Sequence, residues 1–169
     1  RLVKKNAVGD VISALSFLPV HVKFLILGIG PLEKELREKV KSLGLEDRAL
    51  FAGHVSYKNL PEFLHASDAF IRPSLSEGMG NSFIEAMAAG LPIFATLVGG
   101  IPDFLEDGKT GIAVLPENPE SIARGVKKLL ENPGLRAELV RNAREKITGV
   151  YEWSVISKKM ERIFNTLFI

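Results

Sequence analysis

The sequence predicts an α/β fold: a doubly wound, mainly parallel sheet with helices on both faces. Three observations predict it. Short apolar runs of strand length alternate with helical apolar stripes along the whole chain. Most of those runs close on Gly or Pro, residues that end a strand before the next helix begins. The length, 169 residues, suits one compact domain with a substantial core. Parallel βαβ units satisfy all three, and such sheets bind ligands beyond the carboxyl ends of their strands.

The elements follow in order. Val8, Val11, Ile12, Leu15 and Leu18 recur at helical spacing, and Pro19 stops them. "VKFLILG" (Val22 to Gly28) is a nearly uninterrupted apolar run, which suits a strand buried on both faces. Leu32, Leu36, Val40 and Leu43 form one helical stripe between Pro31 and Gly44, with the charges from Lys34 to Lys41 on its solvated side. "RALFAG" reads as a strand, Leu60 to Ala66 as a helix and "DAFIRP" as a strand. Gly80 to Ala89 reads as a helix, "LPIFAT" as a strand, Ile101 to Leu105 as a short helix and "GIAVL" as a strand. "PESIARGVKKLLEN" is a helix with Ile122, Val126, Leu129 and Leu130 facing inward. Pro133 to Ile147 and Ser154 to Leu167 end the chain as helices. Trp153 precedes a stripe of Ile156, Met160, Ile163 and Leu167.

Composition narrows the class. Hydrophobic residues make up 46% and charged residues 25%, as in globular domains. A net charge of +2, from 22 basic and 20 acidic residues, argues against a nucleic-acid partner. The longest apolar runs are too short to cross a bilayer, and no signal-peptide pattern opens the chain. Without Cys there are no disulfides or thiolate metal ligands, and the expected compartment is the cytoplasm. His21, His54 and His65 share no metal-ligand spacing, and no Asp-x-Asp cluster is present. Surface or packing roles are expected for His21 and His65, while His54 stays open. The chain starts at Arg1 without an initiator Met, so we expect a fragment of a longer protein.

The stretch "SLSEGMGNSFIEAMAAGLP", from Ser74, follows the strand "DAFIRP" and so fills a strand-to-helix loop. Gly78 and Gly80 allow tight backbone and close approach of a ligand. Asn81 and Ser82 open a helix, and its first N–H groups, from Gly80 to Phe83, are expected to lack internal partners. Those amides and the positive end of the helix dipole hold phosphate without basic side chains. Glu85, one turn into the helix, suits ribose hydroxyls, and Glu77, before the turn, suits another polyol. A ligand with phosphates in the middle and hydroxylated rings at both ends has the matching shape. The spacing alone serves as well for a helix start that Ser82 and Glu85 merely cap and charge.

The stretch also resembles the signature E-G-x-G-x-x-x-x-E-A of group 1 glycosyltransferases, retaining enzymes of the GT-B architecture. The resemblance runs along nearly the whole chain. "RLVKKNAV", "FLILGIGPLEKELREKVKSLGLEDRALFAGHVS", "LPEFLHASDAFIRPSLSEGMG", "EAMAAGLPIFAT", "VGGIPDFLEDGKTGIAV" and "LLENPGLRAEL" occur in the family's order. It implies the carboxyl-terminal, Rossmann-like donor-binding domain over residues 1–169. The first strand and the amino-terminal acceptor domain would precede Arg1, so the chain alone should be inactive or nearly so. The terminal helix would then leave part of its apolar stripe exposed.

Residue roles follow from the resemblance. Glu77 would contact donor-sugar hydroxyls and Glu85 the ribose, while the amides of Asn81 and Ser82 hold the diphosphate. Arg1 would neutralise the leaving diphosphate together with a lysine, but Asn6 stands at the lysine position and Ala7 at a glycine position. Lys5 or Lys4 would have to replace that lysine through a shift of one or two residues. Val55 would lie beside the base. Gly28 and Gly30 could border the donor cleft or form a structural turn, and Gly99 with Gly100 either lie near the donor or pack at a helix start. No obligatory metal or cofactor is implied; the donor substrate is a nucleotide diphosphate sugar.

The expected parent is therefore a hexosyltransferase acting on an acceptor hydroxyl, with donors carrying UDP, GDP or ADP all compatible. A peripheral place at the inner membrane face is compatible with such a parent, and the sequence leaves its oligomeric state open. Two alternatives remain: a non-catalytic nucleotide-sugar-binding module, which Asn6 favours, and another GT-B enzyme such as a sugar-nucleotide epimerase. A dinucleotide oxidoreductase is disfavoured because Gly28-x-Gly30 lacks the third glycine of that fingerprint.

Overall fold

The computed structural model describes residues 1–167. Five short parallel strands alternate with helices. A 3₁₀ turn over Lys4–Asn6 leads into α1 (Val8–Leu15), β1 (Phe24–Leu27), α2 (Glu33–Ser42) and β2 (Ala49–Gly53). Then come α3 (Leu60–His65), β3 (Phe70–Arg72), α4 (Asn81–Ala88), β4 (Ile93–Ala95), a 3₁₀ turn at Ile101–Asp103 and β5 (Ile112–Ala113). The helices α5 (Pro119–Glu131), α6 (Pro133–Val150) and α7 (Trp153–Leu167) complete the described chain.

The α/β class and its helix-covered parallel strands match the sequence reading, and the strands lie as a pair and a trio. Among the described residues, β1 pairs only with β2, while β4 lies between β3 and β5. One edge of β1 and one edge of β3 therefore have no partner strand, and α1 packs across both strands.

Strand β4 shows why the fold is doubly wound. Phe94 points into a core with Ile12 and Leu15 of α1 and Ile122 of α5, whereas Ile93 and Ala95 point into another with Phe83 and Met87 of α4. Alternation along a strand sends neighbours to opposite faces, and all three residues are fully buried because helices cover both. Truncating a fully buried Phe such as Phe94 to Ala typically costs about 3–5 kcal/mol.

Where cover is missing, the sequence reading fails. Leu25, in the apolar run expected to be buried on both faces, is 37% exposed: with its register partner Leu50, at 42%, it lies on the face of the two-stranded sheet opposite the core that takes Ile26 and Ala49. Leu130 is 48% exposed rather than inward; α5 buries Ile122, Ala123, Gly125 and Val126, and Leu130 falls on the flank of that stripe. The stretch from Ile101 is a single 3₁₀ turn. Helix α7 buries none of its residues, and Met160, Ile163 and Leu167 are exposed as expected.

The amino-terminal segment anchors the site. Leu2 donates its amide to the carbonyl of Ile29 (3.0 Å), and its own carbonyl accepts from Leu32 (3.2 Å). The carbonyl of Lys5 accepts from the amide of Leu75 (2.7 Å). Arg1 to Lys5 are thereby tied to the segment after β1 and to the loop after β3, at the carboxyl ends of both strands.

Candidate donor-binding site

The loop from Pro73 to Gly80 is built from below. Ser74 is fully buried, and its carbonyl accepts a hydrogen bond from the equally buried Thr96 hydroxyl at the end of β4. Gly99 and Gly100 support the other side: the amide of Gly100 donates to the carbonyl of Gly78 (3.0 Å). A Cβ at Gly99 would stand 1.8 Å from the carbonyl oxygen of Glu77, and one at Gly100 would stand 2.7 Å from that of Gly78. Only glycine lets the two loops approach so closely. Of the two readings left open by sequence, packing accounts for this pair, and what it packs against is the site loop itself.

Glu77 is held on three sides. Arg72 Nη2 and Ser74 Oγ (3.4 Å) donate to its Oε2, and the Gly78 amide donates to Oε1 (3.2 Å). Arg72 lies at the end of β3 with its guanidinium 4.6 Å from the Phe83 ring centroid, a cation–π stack. Burial pulls the Arg72 pKa below its ordinary value, while the carboxylate of Glu77 and, less strongly, that of Glu85 oppose the shift.

Helix α4 opens on Gly80, whose φ of 71° is left-handed and which offers no capping side chain. A Cβ there would also meet the Phe83 ring at 2.7 Å. The amide of Phe83 is not free as expected: it donates to the Gly80 carbonyl over 2.9 Å, tightening the first turn. The amides of Asn81 and Ser82 have no partner among the described residues. Ser82 Oγ is buried and likewise unpartnered. An uncapped helix start carrying partial positive charge accepts an anion. Glu85 sits half-buried on the same helix.

The predicted cations fare differently. Asn6 is buried, and its Nδ2 donates to the Arg1 carbonyl over 2.6 Å, so it braces the segment instead of facing a ligand. Lys4 and Lys5 are exposed. Arg1 is exposed as well. Gly30 has a packing reason, because a Cβ there would stand 2.3 Å from the Leu2 carbonyl oxygen. Gly28, at φ 115°, lies beside the Arg1 backbone nitrogen. Val55 is half-buried beyond the end of β2, and its neighbour His54 is exposed.

Arg72, Ser74 and Thr96 escaped the sequence reading. One signal pointed to Arg72: a charged residue ending an otherwise apolar strand just before Pro73. Among the described residues, no group of three His, Asp or Glu side chains is placed to hold a metal ion. Two shallow depressions lie elsewhere, on the charged face of α2 and between α4 and α6, and neither gathers the loop's groups.

Comparison with known proteins covers most of the chain. The family model for glycosyl transferases group 1 matches residues 1–146. An uncharacterized glycosyltransferase of Methanocaldococcus jannaschii is 33% identical over 144 residues, covering 85% of this chain and 37% of the relative. The crystal structure of Anabaena HepE in complex with UDP-glucose superposes with a TM-score of 0.91 at 25% identity, covering 98% of this chain and 47% of that one. The crystal structure of the carboxyl-terminal domain of LpcC, a group 1 family protein of Francisella tularensis, has a TM-score of 0.82 at 26% identity, covering 90% of this chain and 83% of that domain. The chain spans less than half the length of the curated relatives it matches.

Proposed function

The chain belongs to the group 1 glycosyltransferases, and from that premise we propose that it is the donor-binding half of a retaining hexosyltransferase. The donor is a nucleotide diphosphate sugar. One observation carries the reading: the unpartnered amides of Asn81 and Ser82 lie between two carboxylates, Glu77 on the loop and Glu85 on the helix. Diphosphate docks on the amides, ribose hydroxyls donate to Glu85, and sugar hydroxyls donate to Glu77. HepE, a protein of the same fold, is known in complex with UDP-glucose, which supports a nucleotide sugar as the ligand.

In the transition state, negative charge grows on the departing diphosphate, and preorganised donors aimed at it lower the barrier. Asn81 and Ser82 supply fixed amides for that charge, and Arg1, with Lys5 nearby, supplies cations. Titrating the chain calorimetrically with UDP-, GDP- and ADP-sugars and their free nucleotides tests the reading. Binding of at least one nucleotide sugar, weakened by Glu85→Ala for nucleotide and sugar form alike and by Glu77→Ala for the sugar form alone, is the expected result. Equal effects of both substitutions on free nucleotide contradict it. The inward-turned Asn6 favours a second reading, a binding module without turnover; transfer by the full-length parent excludes it.

The free edges of β1 and β3, bridged by α1, support a parallel strand between them, supplied by residues before Arg1. The tie of Arg1 to Lys5 at the carboxyl ends of both strands fits such an entry. The acceptor domain then also precedes Arg1, and the chain alone transfers little sugar. A protein extended by its natural preceding residues should melt well above this chain; an unchanged Tm contradicts the missing strand.

A further inference from the structure

We propose that Arg72 is a positioning residue that fixes the Glu77 carboxylate for ligand hydroxyls, so that recognition of the donor's sugar, and not of its nucleotide, depends on it. This deepens the donor-site reading above and rests on it.

The geometry is specific. An ionised carboxylate offers about four acceptor sites. Glu77 uses one for Arg72, one for Ser74 Oγ and one for the Gly78 amide. What remains faces a single direction, with the carboxylate held along the other three. Both side chains of the ion pair are largely buried, at 22% and 11% exposure, so water neither screens the pair nor competes for it effectively. The Phe83 ring fixes the guanidinium in turn. Because Phe83 belongs to α4, the same contact ties Glu77 to the helix whose amides open toward the loop.

Stability alone does not account for an arginine here. Its Nε is buried without a partner among the described residues, a costly state for an N–H donor. An apolar side chain at the end of a half-buried strand would carry no such cost, and a buried ion pair is often replaceable by apolar residues without loss. An arginine retained under that penalty, held through Nη2 to the one carboxylate that faces the sugar position, is what a positioning role requires.

The test compares wild type, Arg72→Met and Arg72→Lys as this same chain. Each is titrated with UDP and UDP-glucose, with GDP and GDP-mannose, and with ADP and ADP-glucose, and the crystal structure of each variant is determined without ligand. Wild type should bind one sugar form more tightly than its free nucleotide. In Arg72→Met that gain should fall by about tenfold or more, the scale of one charged hydrogen bond, with free nucleotide binding unchanged. Arg72→Lys, which keeps the charge but not the planar guanidinium stacked on Phe83, should retain part of the gain. It carries the test if Arg72→Met fails to fold. Equal binding of nucleotide and sugar form by wild type, persistence of the gain in Arg72→Met, or equal loss of nucleotide and sugar form would overturn the proposal. If wild type binds none of the six ligands, the donor reading falls, and the variant structures decide alone. A Glu77 carboxylate turned away from Ser74 and Gly78 supports positioning by Arg72, and one left in place refutes it.

Discussion

Asn6 Nδ2 donates to the backbone carbonyl of Arg1 across 2.6 Å, and this contact folds the amino-terminal segment back on itself beside the loop after β3. Asn6 is only 7% exposed but Arg1 is exposed, so Asn6→Ala deletes the donor and leaves the Arg1 carbonyl to water. A hydrogen bond lost in that way is worth about 0.5–1.5 kcal/mol. Asn6→Ala should destabilise the chain by that amount in a urea titration. An unchanged midpoint would mean that the segment is held by the Leu2 and Lys5 backbone bonds alone.

Gly99 sets the height of the site loop. Its φ of 58° is left-handed, and an added Cβ would collide with the Glu77 carbonyl. The backbone cannot yield without lifting Glu77. Gly99→Ala should therefore weaken nucleotide-sugar binding by about tenfold or more, comparable to the loss of a charged hydrogen bond. Calorimetry alongside a melting curve separates this from global unfolding; full affinity in a folded Gly99→Ala chain would show that the two loops are not coupled.

Glu106 gives the chain a defined acid limb. Hydrogen bonds from Lys109 and Lys146, each 2.8 Å, hold its pKa down to about 2 from an ordinary 4.5. A depressed carboxylate stabilises the fold above its unfolded pKa, and that contribution disappears as pH falls from 4.5 toward 2. Stability measured from pH 6 to pH 2 should fall more steeply in wild type than in Glu106→Gln. Parallel curves would show that the lysines do not engage Glu106 in solution.

Helix α7 carries Trp153 at 82% exposure and Leu167 at 71%, with Ile163 and Phe164 exposed between them. Apolar faces of this kind promote association. Sedimentation of the chain alone should show concentration-dependent self-association that Ile163→Asp with Phe164→Asp abolishes. A monomer at every concentration would mean that the face is tolerated in water.

Much of the fold was legible because apolar periodicity reports which face a helix buries. The stripe Val11, Ile12 and Leu15 in α1 did so, as did the Gly78-x-Gly80 turn before α4. Side-chain partners were not legible. Nothing in local spacing shows that Thr96, 22 residues on, braces Ser74, or that Arg72 reaches Glu77. The sequence placed Asn6 at a ligand-facing position, yet the backbone turns it inward. Ala7 follows it at φ 49°, a left-handed conformation that suits the glycine of the resembling pattern. An uncovered sheet face defeats pattern reading too: Leu25 looks buried, but it shares its face with the exposed Leu50.

The most direct test is a crystal of this chain grown with UDP or GDP. A pyrophosphate within hydrogen-bonding distance of the Asn81 and Ser82 amides, and a ribose against Glu85, is the predicted arrangement. A nucleotide bound at another surface, with those two amides still open, would contradict it.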